Sequence, residues 1–313
     1  MTPHVAQALT PPTLGEAVEA FAVGAQHLGA HPGAPLDVTG GGRAQAELPP
    51  STPDPRESPD AATHAKRQQP RDTGRMSVHL LGGGRDIDRC GDLLRPFVAE
   101  ARQRAADRTP VIAVLLVLEA ADDPRIELHR AMLEAAGAAP GEIRVVSIVE
   151  GELFDAAALE ADALFVGGGL TPAYLDAFGK IRDAVTARVR EGVPYAGFSA
   201  GSAIAAGPAL VGGYRIRGVE VGSEDAAEEL DEVEVRPGLG LLDFAVDVHA
   251  AQWGTLSRLV AAIDAGLVTE GVAIDEHTAL VMSAQAAPDV RGRGQVWRVE
   301  SAASGVHVQV LRA

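Results

Sequence analysis

Residues 195–207 read YAGFSAGSAIAAG and set one serine among small residues directly after a short apolar run. Within it, Gly197, Phe198, Ser199, Ala200 and Gly201 fit G-x-S-x-G, the pattern of a sharp strand-to-helix turn that lifts a serine hydroxyl above a sheet. Glycine at both ends has a steric reason, because a Cβ at Gly197 or Gly201 would collide across so tight a turn. The same serine could be an ordinary turn residue, so its reading as a nucleophile depends on its surroundings. The turn also predicts a strand ending at Phe198 and a helix opening at Ala200, which is the joint of an α/β fold.

Outward from that joint, unbroken apolar runs alternate with helical stretches. Strands are predicted at residues 78–81, 111–118, 143–149, 163–166 and 194–198, and helices at 86–106, 124–136 and 172–191. Runs without polar alternation belong to strands buried on both faces. Their alternation with helices predicts a doubly wound, mostly parallel sheet with helices on both sides. Beyond residue 210 the pattern is less regular, with a helix at 255–265 and a final antiparallel hairpin at 296–312 turning around Ala303, Ser304 and Gly305.

The first 75 residues have a different character. They hold 11 of the 20 prolines, in stretches such as LPPSTPDPRESPD. That composition buries too little apolar surface to offset the entropy of ordering, so residues 1–75 are predicted to be a disordered leader with one helical segment at 14–30. The α/β domain is expected over 76–313, since Met76 is followed at once by SVHLLGGG, the natural opening of a buried strand.

Composition narrows the function. Of the 313 residues 46% are apolar, enough for a sizeable core, and no run reaches the roughly 18 apolar residues of a membrane helix. A secretory signal is unsupported and the single cysteine, Cys90, cannot close an internal disulfide, so a cytoplasmic protein is expected. A net charge of −16 argues against nucleic acid or an anionic membrane as partner and favours a cationic or zwitterionic ligand. No paired Cys/His spacing suggests a metal, and no cofactor is expected. Cys90 reads as a buried small residue, and the acidic run 220–234 as a solvated loop.

In an open α/β sheet, ligands bind beyond the carboxyl ends of the strands. Glycines 82–84 follow the first predicted strand, glycines 167–169 the fourth, and the serine turn the fifth. The Ala200 amide lies at a helix start, where it can donate to a developing oxyanion, and the Gly168 or Gly169 amide is the expected second donor. A serine also needs a base and an orienting acid. His79 sits within the first strand and His129 reads as a helix-surface residue, which leaves His249, His277 and His307. His249 ends the run FAVDVH at a strand end, and His307 alternates with valines in the final hairpin. Glu276 and His277 follow the run GVAID, and adjacent side chains leave in different directions, so one of the two should face the site.

The segments VGGGLTPAYL (166–175), GFSAGSAIAAG (197–207), GLGLLDFAVDVH (238–249) and GVAIDEHTAL (271–280) resemble, in the same order, the motifs of the serine peptidase family that contains dipeptidase E and cyanophycinase. That family is similar in fold to class I glutamine amidotransferases, with serine in place of the cysteine nucleophile. The resemblance implies Ser199 as nucleophile, His249 as general base and Glu276 as orienting acid, with Glu220 or Glu224 as less suitable substitutes for the acid. It implies Thr171, Asp247 and Arg258 as substrate contacts, a small peptide as substrate and a possible homodimer. Two departures bear on substrate: Arg258 alone remains of the arginines that hold cyanophycin, and Leu170 stands where dipeptidase E has asparagine.

Two other functions stay open on sequence alone. An α/β-hydrolase esterase shares G-x-S-x-G in the order serine, acid, histidine, which Ser199, Asp247 and His277 would satisfy. A binding module would use the glycine-lined crevice without chemistry.

Overall fold

The computed structural model describes residues 77–283 and 286–313; the leader expected over 1–75 lies outside the described residues. The first half of the described chain alternates strand and helix: β1 (Ser77–Leu81), α1 (Ile87–Ala105), β2 (Ile112–Leu118), α2 (Arg125–Ala135), β3 (Ile143–Val149) and β4 (Ala163–Val166). Then come α3 (Thr171–Ala177), α4 (Arg182–Arg190), β5 (Tyr195–Phe198) and α5 (Ala200–Ile204). Short strands follow, β6 (Pro208–Gly212), β7 (Arg215–Ile216), β8 (Val219–Glu220), β9 (Glu234–Pro237) and β10 (Ala245–Val248). The chain closes with α6 (Ala250–Trp253), α7 (Leu256–Asp264), β11 (Glu270–Ile274), β12 (Thr278–Ser283), β13 (Ala286–Gly292), β14 (Val296–Ala302) and β15 (Gly305–Leu311).

The main sheet has seven strands in the order β13-β12-β1-β5-β4-β2-β3. The five predicted strands are its parallel part, and β12 and β13 extend it antiparallel beyond β1. Strand β2 explains the absence of polar alternation. Its Ile112, Val114, Leu116 and Leu118 pack with the α1 side chains Leu94, Phe97 and Val98. Its Ala113, Leu115 and Val117 pack on the other face with Tyr174, Leu175 and Val185 of α3 and α4. Each face thus needs its own apolar set, and a strand of period two reads as a continuous run.

One reading changes, and one run finds its sheet. The helix expected over 172–191 is two helices, with a turn at Phe178–Ile181 that brings both of those side chains into the core. Gly179 lies at the break, and a glycine costs a helix about 1 kcal/mol relative to alanine. The run GVAID does not join the main sheet. It forms β11, which pairs in parallel with β10 and antiparallel with β14 in a second sheet of order β10-β11-β14-β15. The predicted hairpin is β14–β15 of this sheet, in register from Val296↔Leu311 to Ala302↔Gly305.

A buried ion pair ties the second sheet to α7 and to the loop that follows β6. Arg258 Nε and Nη2 donate to the two carboxylate oxygens of Asp247 at 2.9 and 2.7 Å, and Nη1 donates to the carbonyls of Ala226 at 2.6 Å and Gly213 at 3.3 Å. The side chains are 6% and 2% exposed, so removing one partner strands a charge in the interior. Arg258→Met should cost about 3–5 kcal/mol in urea unfolding, and the double variant Asp247→Leu/Arg258→Met should recover most of it. Additive losses in the double variant would show that the ions act independently.

Candidate active site

The predicted turn forms as expected and holds Ser199 at φ 53°, ψ −113° between β5 and α5. An added Cβ at Gly197 would come within 2.5 Å of the Gly201 backbone, and one at Gly201 within 2.2 Å of the Val166 carbonyl oxygen. Two buried hydroxyls brace the turn. Tyr195 donates to the Gly201 carbonyl at 2.7 Å, and the Ser202 hydroxyl shares its hydrogen between the Leu81 and Gly197 carbonyls at 2.8 Å each.

The end of β1 registers this turn against the other strand ends. The Ser199 amide donates to the Leu81 carbonyl at 3.0 Å, the His249 amide to Gly82 at 3.0 Å and the His277 amide to Gly83 at 2.9 Å. Side chains then pack where β1 has none. A Cβ at Gly83 would lie 2.1 Å from His249 Cε1, and one at Gly84 would lie 2.4 Å from His277 Nε2.

His249 Nε2 lies 2.8 Å from Ser199 Oγ, and its Nδ1 lies 2.8 Å from Glu276 Oε1. The carboxylate takes the Nδ1 hydrogen, which leaves Nε2 as the acceptor for the serine hydroxyl. Burial pushes the imidazole below its ordinary value, and Glu276 partly opposes that shift. The ring is therefore neutral near pH 7, as a base must be. The ring packs closely against Gly83 and stacks on the Trp253 indole with centroids 4.0 Å apart and planes 9° apart. Glu276 is itself positioned, because Gln252 Oε1 accepts its backbone amide at 2.8 Å. Neighbouring Asp275 is buried and accepts from the Ala251 and Gln295 amides, fixing α6 against the end of β11.

Of the two glycines expected to supply the second oxyanion donor, Gly168 is engaged elsewhere. The Gly168 amide turns inward and donates to His129 Nε2 at 3.3 Å. Among the described residues, no acceptor takes the Gly169 or Ala200 amide, and Gly168 packs so closely that an added Cβ would lie 3.0 Å from Ser199 Cβ. Of the three expected donors, the Gly169 and Ala200 amides are thus the ones without an acceptor among the described residues. His129 is a correction: it is 1% exposed, not a surface residue. Its ring packs against Phe165 and Phe198, and burial is tolerated because Nδ1 donates to the Arg125 carbonyl at 2.6 Å while Nε2 accepts from Gly168.

The other expected residues are engaged elsewhere. Asp247 and Arg258 bind one another rather than facing the crevice, and Thr171 is buried with its amide donating to Glu228 Oε2 at 2.8 Å. Burial raises the Glu228 carboxyl, and the Thr171 amide opposes that shift. Glu220 and Glu224 are exposed, and Glu220 pairs with Arg215, so neither substitutes for Glu276. His277 Nε2 accepts the Asp86 amide at 3.2 Å, which leaves the esterase order Ser199, Asp247, His277 unassembled. His307 is exposed and pairs with Glu300. Cys90 is buried, and its thiol is pushed up to about 12. Among the described residues no helix is long and apolar enough to cross a membrane, and no group of three His, Cys, Asp or Glu side chains could hold a metal ion.

Comparison with known proteins identifies the family and a similar fold. The model of the family described as Peptidase family S51 matches residues 112–288, more than half of the chain. The fold is similar to that of a peptidase from an acI-B1 actinobacterium, at 18% identity and TM-score 0.52 over 77% of this chain and 95% of that one. A protein named for peptidase E from Listeria monocytogenes EGD-e aligns at 13% identity and TM-score 0.45, over 70% of this chain and 100% of that one. No curated protein sequence matches significantly.

If His249 acts as the expected base, the shift of its pKa sets a pH dependence with a definite sign. Ser199 should react with a fluorophosphonate faster as pH rises and His249 loses its proton, with a midpoint below the ordinary imidazole value. Glu276→Gln removes the charge that raises this value, so the midpoint should fall further while the limiting rate drops by about a hundredfold or more. A midpoint that moved upward in Glu276→Gln would show that the carboxylate does not act on His249.

Proposed function

The chain belongs to peptidase family S51, and from that premise we propose that Ser199, His249 and Glu276 hydrolyse a peptide or isopeptide bond in a small peptide through an acyl-enzyme. The observation that carries this reading is the unbroken hydrogen-bond chain from Ser199 Oγ through His249 to Glu276 at 2.8 Å per link. Ser199 Oγ attacks the scissile carbonyl as its proton passes to His249 Nε2. The resulting imidazolium is stabilised by Glu276 and by the face of Trp253, a cation–π contact worth about 0.5–1 kcal/mol at an exposed site. The Gly169 and Ala200 amides receive the oxyanion. Collapse of the tetrahedral intermediate breaks the C–N bond, and His249 hands its proton to the leaving amine. Water then attacks the acyl ester with His249 again taking a proton, which frees the acid and regenerates Ser199.

The substrate is argued from charge and from what the site lacks. With a formal charge of −16, the chain attracts a free amino terminus or a basic side chain more readily than an acidic polymer. Arg258, the one residue matching the arginines that hold cyanophycin, is 5% exposed and occupied by Asp247, so a short peptide fits better than that polymer. Purified protein should turn over a member of a dipeptide panel that includes aspartyl dipeptides and β-linked aspartyl-arginine. Ser199→Ala should lower that turnover by about a thousandfold or more with an unchanged circular dichroism spectrum. Undiminished turnover in the variant would refute the mechanism.

A further inference from the structure

We propose that Tyr174 and His129 are positioning residues for the oxyanion hole: they clamp both sides of Gly168 so that the next amide, that of Gly169, points into the crevice beside Ser199. The proposal rests on the peptidase reading above and adds to it the means by which one donor is aimed.

The argument begins with the planar trans peptide, in which C=O and N–H point in opposite directions. The Tyr174 hydroxyl donates to the Gly168 carbonyl oxygen at 3.2 Å. Tyr174 is fully buried, so this oxygen faces the protein interior. The N–H on the far side of the same peptide is that of Gly169, which must face outward. The preceding peptide is fixed by the opposite polarity, because the Gly168 N–H donates to His129 Nε2 at 3.3 Å. His129 is an acceptor there because its Nδ1 donates to the Arg125 carbonyl at 2.6 Å. Gly168 is thus held through its N–H and its C=O, and it has no side chain of its own to set its direction.

Both clamps keep their protonation state across the neutral range. Burial pushes His129 down to about 4, so Nε2 retains its lone pair, and burial raises the Tyr174 phenol, so it retains its hydrogen. A hydrogen bond to a peptide carbonyl also polarises that peptide, which makes the Gly169 N–H a stronger donor. The enclosure is tight: a Cβ at Gly167 would lie 3.0 Å from His129 Nε2 and 3.2 Å from the Tyr174 hydroxyl. Neither side chain contacts Ser199 or His249, which is why they count as positioning and not as catalytic residues.

The test is the rate at which a fluorophosphonate labels Ser199 in the full chain, with p-nitrophenyl acetate as a second probe. In labelling, Ser199 Oγ bonds to phosphorus, fluoride leaves, the proton goes to His249, and the phosphoryl oxygen occupies the oxyanion site. Tyr174→Phe keeps the ring and removes the hydroxyl. Its labelling rate should fall about tenfold to a hundredfold, less than the full loss of a donor. The pH midpoint of labelling should not move, because Ser199, His249 and Glu276 are untouched; a general structural loosening would move it. Labelling within about twofold of the unmodified chain would overturn the clamp while leaving the serine mechanism standing. An unmodified chain that does not label at all would remove the mechanism and the clamp together. Should phenylalanine prevent folding, a second pair of variants decides. His129→Leu, which strands the Gly168 amide, should lose a similar factor, and His129→Gln, whose amide oxygen can accept from Gly168, should recover most of it. Equal rates in those two variants would overturn the proposal.

Discussion

The site depends on three consecutive carbonyls at the end of β1. Leu81, Gly82 and Gly83 accept the backbone amides of Ser199, His249 and His277, which arrive from three different crossovers. Backbone groups must find partners when buried, so this contact is demanded by the fold and does not rely on any side chain being correct. It fixes Ser199, His249 and the turn that carries Glu276 relative to a single strand. The absence of side chains on Gly82–Gly84 is the second half of the constraint. The imidazoles of His249 and His277 and the backbone of Asp275 occupy the volumes where Cβ atoms would be. Glycine here serves close approach first and backbone freedom second.

Charge in the site is handled by separation. A chain with 43 acidic and 27 basic residues could easily surround its base with stray carboxylates. Asp247, two residues before His249, is instead consumed by Arg258. Asp275, beside Glu276, is consumed by backbone amides and by the Trp297 indole at 3.3 Å. Glu276 alone is aimed at the imidazole. Burial, with a smaller contribution from Arg258, lowers His249, while Glu276 and to a lesser degree Asp247 raise it; burial prevails, which keeps the imidazole neutral yet still able to attract a proton.

Much of this was legible in the sequence because strand ends carry their own marks. The five parallel strands followed from apolar runs, and the serine turn and the base followed from residues directly after such runs. The preference for Glu276 over its neighbour rests on the family resemblance of four ordered motifs and not on spacing, since sequence alone does not tell which of two adjacent side chains turns inward. Residues 213–237 carry no readable pattern, because β7 and β8 are two residues long and β9, Glu234–Pro237, has no apolar run. His129 reads as a surface residue, yet it shares the inner face of its helix: it lies three and four residues before Met132 and Leu133, both buried. Nothing local marks Arg258 as internal. Its partners, Asp247, Gly213 and Ala226, come from other parts of the chain, and a buried ion pair is visible only once they meet.

The backbone angles of the site follow from the same carbonyls. Ser199, His249 and His277 have φ of 53°, 57° and 54°, and these are the three residues whose amides bind the end of β1. A side chain on an extended strand continues the alternation of its neighbours, so in a straight continuation His249 would face the same way as Asp247, toward Arg258. The turn to positive φ breaks that alternation at the last residue, sending the imidazole to Ser199 while Asp247 stays in the interior. Such a conformation costs on the order of 1–3 kcal/mol for a residue with a Cβ. One backbone hydrogen bond contributes about 0.5–1.5 kcal/mol net, so the amide bonds alone do not hold the three turns. The remainder must come from packing, and for His249 the source is visible: the imidazole packs against Gly83 and stacks on Trp253, so relaxing the backbone would give up both contacts. Strain at the strand end and enclosure of the base are therefore one arrangement. The fold tolerates the unfavourable backbone because it delivers a ring into a slot that only glycine leaves open.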